Sequence, residues 1–353
     1  MTIHQILAGY ADGDAISSEA VQLRRAFRAW GCASEIHVDP ACVSPGLRGD
    51  CLPLTAFAAG PGDVCLYHYG IASPATDVFL RSSARRILVY HNITPAAFFN
   101  GFDDDLARRL SLARATLGEV ARHADAVWAD SKFNADELAQ AGVNPVQVFH
   151  LPFVSDSPER QPDAAILKCF AGPLKNILFV GRIVPNKRIE DLIHAFAWYH
   201  RAVNPFSRLL IVGSPRSAPR YFTMLRVLAG DLDLPNVCFE GFASPEGLPA
   251  YYQVADLYVS TSAHEGYCLP LVEAMSHGVP VIARNIGGVP EAMDGAGVLY
   301  EDLTAAELGA LFDRVLSDDA CRAEILASPQ ARMERARARD LSAELRRLLD
   351  AEL

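Results

Sequence analysis

No apolar run in this 353-residue chain approaches the roughly 18 residues needed to cross a bilayer, so a membrane span is not expected. The N-terminus has no basic stretch leading into an apolar one, which excludes an evident secretory signal. Eight cysteines (Cys32, Cys42, Cys51, Cys65, Cys169, Cys238, Cys268 and Cys321) form no C-x-x-C pair and no Cys/His metal spacing. At this size they read as reduced thiols rather than a disulfide framework. Positive charge is in deficit too, and a net charge of −10 argues against nucleic-acid partners. Also missing are G-x-G-x-x-G after the first strand, which a dinucleotide-binding dehydrogenase needs, and the G-x4-G-K-[ST] of a P-loop kinase. There are no solenoid-period repeats and no low-complexity tracts. A cytoplasmic enzyme is the expectation left standing.

Half of the residues are hydrophobic and 21% charged, a globular composition, and the length suits two domains of about 150 to 180 residues. Short apolar runs alternate with helical patterns. Ile3–Ala8, Glu35–Val38, Val64–Tyr67, Arg86–Tyr90, Ala126–Ala129 and Gln147–Leu151 read as strands. Ile16–Trp30, Asp104–Arg122 and Ser131–Ala141 read as helices, the first with Ile16, Ala20, Leu23, Phe27 and Trp30 on one stripe and Arg24, Arg25 and Arg28 off it. The polar, Pro-containing Ser155–Asp163 interrupts the pattern as a linker. Strands then resume at Ile177–Val180, Leu209–Val212, Val237–Phe239, Leu257–Ser260 and Val279–Ala283, with helices at Ile189–Ala202, Pro245–Val254 and Pro270–His277. Such alternation predicts an α/β chain of two doubly wound, Rossmann-like domains facing a cleft. The boundaries are 1–155, a linker at 156–175, a second domain at 176–329, and a terminal helix over 330–353 that could pack back on the first domain.

In open parallel sheets ligands sit beyond the carboxyl ends of the strands, and the unusual sequence lies there. Ser260–Met275 (STSAHEGYCLPLVEAM) leaves a strand and opens a helix near Pro270, a residue suited to a first turn. A helix start binds anions through its N–H groups and dipole, and Gly266 permits close backbone approach. Glu265 and Glu273 stand eight residues apart; alone, Glu273 reads as a helix-dipole partner on the first turn. Asn176–Leu192 (NILFVGRIVPNKRIEDL) delivers Arg182 and Lys187 from a strand end toward a helix start, a better phosphate clamp than two solvated cations. Ile211–Ser214, Val237–Phe242, Ala255–Thr261 and Arg284–Glu291 are ordinary turns singly; their order and spacing carry the information.

Together these segments closely resemble the family-4 retaining glycosyltransferases of GT-B fold over roughly residues 175–300. The resemblance implies that Glu265 approaches the transferred sugar and Glu273 binds ribose hydroxyls. It places the backbone of Gly266, Tyr267, Cys268 and Leu269 on diphosphate and sugar, and both Arg182 and Lys187 on the diphosphate. The family's glycine after the lysine is Arg188 here. In the first half the family's glycine-rich loop is reduced to Gly13, followed by Asp14; Ser17 or Ser18 reads as the helix cap. His91 follows a strand where the family keeps a histidine near the reactive centre, and its His-Asn-x-Thr-Pro context resembles a subgroup building surface polysaccharides. Asp14, His68, Tyr69, Ser131 and Lys132 are acceptor-side candidates, Ser131 equally a cap.

The implied activity is transfer of a hexose, by this resemblance mannose, from a GDP- or UDP-linked donor to a glycan or lipid-linked acceptor. The implied site needs no cofactor and no metal. Of three D-x-D spellings, at Asp12–Asp14, Asp103–Asp105 and Asp231–Asp233, only the first follows a strand end. Arg24, Arg25, Arg28, Arg81, Arg85 and Arg86 make the first half locally basic; a solvated face is favoured over peripheral contact with the inner face of a membrane. A glycoside hydrolase would also use two carboxylates but no paired phosphate-binding cations. A non-catalytic nucleotide-sugar binder or partner subunit would keep the fold and lose part of the clamp, which is intact. A starch- or sucrose-synthase-like enzyme is expected to be longer.

Overall fold

The computed structural model describes residues 1–149 and 161–352, which fall into two compact units: Met1–Leu151 with Asp340–Leu353, and Pro152–Arg339. The first unit is built as β1 (Thr2–Leu7), α1 (Ala15–Ala29), β2 (Ala33–Val38), β3 (Leu52–Pro53), β4 (Val64–Tyr69), α2 (Pro74–Arg81), β5 (Arg85–Tyr90), α3 (Asp104–Arg122), β6 (Ala126–Ala129), α4 (Lys132–Gln140) and β7 (Gln147–Val148). Its strands form one sheet in the order β3-β2-β1-β4-β5-β6-β7, every pair parallel. All six residues of β4 are buried, as expected of a strand covered by helices on both faces. The order reverses between β1 and β4, so the crevice beyond their carboxyl ends is this sheet's ligand edge.

The second unit opens on α5 (Ala164–Phe170) and runs β8 (Lys175–Val180), α6 (Ile189–Ala202), β9 (Ser207–Val212), α7 (Pro219–Asp231), β10 (Val237–Gly241), α8 (Gly247–Val254), β11 (Leu257–Ser260), α9 (Leu269–Ser276), β12 (Val281–Arg284), α10 (Val289–Met293), β13 (Val298–Tyr300), α11 (Ala305–Ser317) and α12 (Asp319–Arg337). The parallel sheet has the order β10-β9-β8-β11-β12-β13, with Ile177 opposite Leu257 and Leu178 opposite Tyr258 across its point of reversal. Leu178, Leu210, Tyr258, Leu271, Met275 and Met293 share one buried cluster, so α9 and α10 are fixed directly against the strands.

Three expectations change. Where a linker was expected at 156–175, α5 packs on the second unit: Asp163 N–H donates to the Glu246 carbonyl at 3.1 Å, and Ile166 rests beside Gly247. The first part of that linker, and the end of the strand expected at 147–151, lie outside the described residues. The single terminal helix is two helices. The first, α12, belongs to the second unit, and α13 (Leu341–Glu352) belongs to the first. Leu345 and Leu349 of α13 are buried with Ile3, Leu23, Phe27 and Trp128, and Trp30 Nε1 donates to Ser342 Oγ at 2.9 Å.

Third, Asp14 caps α1 in place of Ser17 or Ser18. Its carboxylate accepts from the Ser17 N–H and hydroxyl, both at 2.9 Å. The basic face expected on α1 is also partly consumed. Arg24 is buried, with one guanidinium nitrogen on the Asp50 carboxylate and another on the Asp50 carbonyl, both at 2.6 Å, and Arg28 meets the Ser34 carbonyl and Glu35. Among the described residues no helix is long and apolar enough to cross a membrane.

The tail helix fills part of the first unit's core, so Leu345→Ala should lower that unit's stability by about 2–5 kcal/mol. Urea unfolding followed by Trp fluorescence reads the change, and the exposed Arg347→Ala should leave the midpoint nearly unmoved.

Candidate functional site

The carboxyl edge of the second unit's sheet is made of glycines for steric reasons. Gly181, Gly213 and Gly241 end β8, β9 and β10, and they carry the ladder past the strands: Gly181 N–H donates to the Val212 carbonyl at 3.0 Å and Gly213 N–H to the Gly241 carbonyl at 2.7 Å. A Cβ on Gly213 would stand 1.7 Å from the Gly181 carbonyl oxygen. At the β12 end the Gly288 N–H donates to the Glu265 carbonyl at 3.0 Å, and a Cβ there would stand 1.9 Å from the Gly266 carbonyl oxygen. Backbone thus lies on backbone at Gly213 and at Gly288, while Gly181 packs on the Phe179 ring and Gly241 has open space.

The β8 and β11 loops flank the point of reversal and are stitched together. Ala263 N–H donates to the Asn186 carbonyl at 2.8 Å, Asn186 Nδ2 to the His264 carbonyl at 3.2 Å, and the Thr261 hydroxyl to the Lys187 and Arg188 carbonyls at 3.1 and 2.9 Å. This brings together two residues 78 apart in sequence: Lys187 Nζ lies 2.6 Å from Glu265 Oε1, both side chains largely buried. The Ser262 hydroxyl donates to the same oxygen at 2.7 Å. Burial pushes the Glu265 carboxyl up, but the Lys187 ammonium and hydrogen bonds from Lys187, Ser262 and Cys268 hold it below its ordinary value. A charged acid and base therefore sit at the mouth of α9.

Helix α9 begins at Leu269 with Pro270 in its first turn, and Cys268 caps it at φ 76°, a left-handed conformation unusual for a residue with a side chain. Glu273 is the fifth residue of this helix, one position further in than expected and past its first turn. It does not complement the dipole at the first turn, and its Oε2 instead accepts from the Tyr252 hydroxyl at 2.7 Å. Burial raises the Glu273 carboxyl above its ordinary value against the pull of Tyr252 and His277. Tyr267 is held by Arg332 Nη2 of α12, 3.3 Å from its hydroxyl. Arg182 is exposed on the same edge and makes no ion pair among the described residues, leaving its guanidinium available.

In the first unit the expected residues gather around His91, at the end of β5. His91 Nδ1 is 2.7 Å from Asp130 Oδ2 and 3.8 Å from Glu19 Oε2, and its Nε2 is 2.7 Å from His68 Nδ1. Glu19 carried no signal in the sequence: it is one more polar residue of an amphipathic helix until the sheet brings His91 to it. Other expectations resolve into structure. The Tyr69 hydroxyl donates to the Ala113 carbonyl of α3 at 3.0 Å, which makes Tyr69 a core residue and not a pocket lining. Ser131 Oγ caps α4 by accepting from the Asn134 N–H at 3.1 Å, and Lys132 is exposed on that helix's first turn. Gly13 takes φ 68° just before the Asp14 cap. Because Asp14 is committed to that cap, the Asp12–Asp14 spelling is not a free carboxylate pair. Among the described residues, the group spaced to hold a metal is Glu19, His68 and His91.

Arg188 occupies the position where the resembled family has glycine, and it adopts φ 51°, ψ 44° there. An L-residue pays roughly 1–2 kcal/mol for this left-handed conformation. Arg188 offsets part of it with two contacts to the Asp191 carboxylate at 3.0 and 3.1 Å and one to Glu190 at 3.1 Å. Its side chain is half exposed, so each pair is worth less than about 1 kcal/mol. Arg188→Gly should therefore be as stable as the parent or up to about 1 kcal/mol more stable, whereas Arg188→Ala, which loses the pairs and keeps the strain, should be less stable. Urea midpoints of the three proteins check the order.

Comparison with known proteins bears on the family and the fold. The family model for glycosyl transferases group 1 matches residues 170–337, a span holding both stitched loops. A GDP-mannose-dependent alpha-(1-6)-phosphatidylinositol monomannoside mannosyltransferase of Mycobacterium tuberculosis is 28% identical over 197 residues, 52% of this chain and 50% of the relative, so the chain spans about half of that relative's length. The serotype-specific mannosyltransferase WbdA of Escherichia coli is 29% identical over 157 residues, 44% of this chain and 19% of that one. A solved sucrose-phosphate synthase of Thermosynechococcus elongatus superposes with a TM-score of 0.76 at 20% identity, covering 99% of both chains. It shows that the fold is the two-sheet GT-B fold, and that chain length does not set sucrose-synthase-like proteins apart. The chain thus matches the family model for glycosyl transferases group 1 over residues 170–337, just under half of its length.

Proposed function

We propose that this protein is a retaining glycosyltransferase that moves a hexose, mannose foremost, from a nucleoside-diphosphate sugar to a glycan or lipid-linked acceptor. The observation that carries the reading is the buried Lys187–Glu265 pair at the start of α9, on an edge where a Cβ at Gly213 or Gly288 would meet backbone. Mannose from a GDP-linked donor is supported by the GDP-mannose dependence of the mycobacterial relative, and mannose also by the E. coli mannosyltransferase.

The chemistry turns on the leaving diphosphate, where negative charge grows as the bond from sugar C1 to phosphate oxygen breaks. In this reading Lys187, the exposed Arg182 and the Gly266–Leu269 backbone meet that charge, and pre-organised groups of this kind lower a barrier without reorganising. Glu265 orients the Lys187 ammonium and faces the sugar; Glu273, steadied by Tyr252, takes the ribose hydroxyls. The acceptor hydroxyl oxygen bonds to C1 on the face the phosphate leaves, and its proton passes to the departing phosphate oxygen. No protein nucleophile is needed, and with two cations on the diphosphate neither is a divalent ion.

Lys187→Ala tests the clamp. If the ammonium meets charge that develops in the transition state, kcat should fall about 100-fold or more while calorimetric donor affinity falls less. A raised KM with kcat unchanged would mark the lysine as a uniform binding group.

Proton NMR of the early product from GDP-mannose, in excess chelator, tests the reaction itself. The expected product keeps the donor's anomeric configuration. Inversion, or activity lost to chelator and restored by Mn²⁺, refutes that part of the mechanism. Nucleotide-sugar binding without transfer to any glycan or lipid-linked acceptor would favour a non-catalytic binder.

A further inference from the structure

The histidine pair of the first unit has a protonation state that its hydrogen bonds dictate. The chain starts at Gln5 of β1, whose Nε2 donates to the Ala20 carbonyl of α1 at 2.9 Å. A carbonyl only accepts, so the amide orientation is set and Gln5 Oε1 is the atom facing His68 Nε2 at 3.0 Å. That ring nitrogen must carry hydrogen. At the other end His91 Nδ1 faces the Asp130 carboxylate at 2.7 Å and must also carry hydrogen. Between them His68 Nδ1 and His91 Nε2 approach to 2.7 Å with the rings stacked, and two lone pairs cannot meet at that distance, so a third proton lies there. Three protons on four ring nitrogens leave the pair with one positive charge.

We infer that this charge resides on His91, a fixed imidazolium at the carboxyl edge of the first sheet, and that His68 and Gln5 are the positioning residues that hold it there. The Asp130 carboxylate, hydrogen-bonded to His91 Nδ1, decides which ring is charged. His91 faces Asp130 from the β6 end and Glu19 and, further off, Asp14 from α1, whereas the hydrogen bonds of His68 of β4, among the described residues, go to His91 and the neutral Gln5 amide. Burial pulls His91 down, yet Asp130 and Glu19 lift it to about 9, while burial and the neighbouring cation push His68 well below its ordinary value. Burial and Asp130 raise Glu19 to about 8 against the pull of His91. With both ring nitrogens donating inside the unit, His91 offers a bound ligand charge and shape, and neither a general base nor a free ring nitrogen.

The stabilisation has a definite pH sense. A histidine raised in the folded state contributes fully below its unfolded value of about 6.5 and loses that contribution as pH rises through about 9.

Nitrogen-15 NMR of the histidine-labelled wild-type chain at about pH 7.5, where an ordinary histidine is mostly neutral, reads the state directly. The expected spectrum has His91 protonated on both nitrogens and His68 neutral with hydrogen on Nε2. A neutral His91, or His68 carrying hydrogen on Nδ1 only, overturns the assignment; so does one equivalent of Zn²⁺ binding to the pair with both rings neutral. In Gln5→Leu, His68 Nε2 has no acceptor, so His68 is free to take the other tautomer and donate to His91. The His91 titration should then move down by about one pH unit or more, and an unmoved titration removes Gln5 and His68 from the role. If that variant does not fold, the wild-type spectrum still decides. It reads protonation whether or not the protein transfers a sugar.

Discussion

The second unit depends on one contact, the Lys187–Glu265 ion pair across the β8 and β11 loops. Removing a carboxylate and an ammonium from water costs several kcal/mol per ion, and a pair at 2.6 Å repays this only with further hydrogen bonds. Those are present: the Ser262 hydroxyl shares the same carboxylate oxygen, and the loop backbones are tied by Ala263 to Asn186 and by Thr261 to residues 187 and 188. A buried pair of this kind is weak as a source of stability and strong as a constraint on geometry. Losing either partner would strand a charge at the sheet's ligand edge. Two loops that must each be held for a ligand are held by each other.

The two units solve the same electrostatic problem differently. At the second sheet's edge an acid and a base neutralise each other, and an exposed arginine nearby has its charge to spare. At the first sheet's edge Asp14, Glu19 and Asp130 converge on one histidine ring, which is charged because its other nitrogen meets a histidine that can only accept. Both arrangements place a cation beside carboxylates at a carboxyl edge, in the second unit at the reversal between β8 and β11 and in the first one strand beyond the reversal between β1 and β4. In a doubly wound sheet the reversal is where parallel strands splay and leave room for a ligand.

Much of this was legible before the structure. The strands with three or more β-branched or aromatic residues declared themselves, and the helices with a clean apolar stripe, such as Asp104–Arg122, came out with the bounds their periodicity gave. Pattern alone did not bring out Pro74–Arg81, although Ser73 before Pro74 is a cap followed by a first-turn proline. Nor did it bring out β13, whose three residues are too few to show a period. Helix α5 was hidden in polar, Pro-containing surroundings that read as linker. Tyr69 and Ser131 looked like ligand-facing residues because they end strands; burial gave one to the core and capping gave the other to a helix.

The sequence by itself determined the alternation of strand and helix, the parallel sheets that follow from it, and the residue types at each strand end, because these rest on local periodicity and turn chemistry. Strand-end position and the family resemblance pointed to Arg182, Lys187, Glu265 and Glu273 as candidates at the second sheet's carboxyl edge. Only the tertiary structure decided what each of them touches: that Lys187 closes on Glu265, that Glu273 leans on Tyr252, that Glu19 joins His91, and that α13 completes the first unit's core. Those contacts join residues tens to hundreds of positions apart. Their strength depends on burial and on the distance between charges, neither of which exists until the sheets have formed.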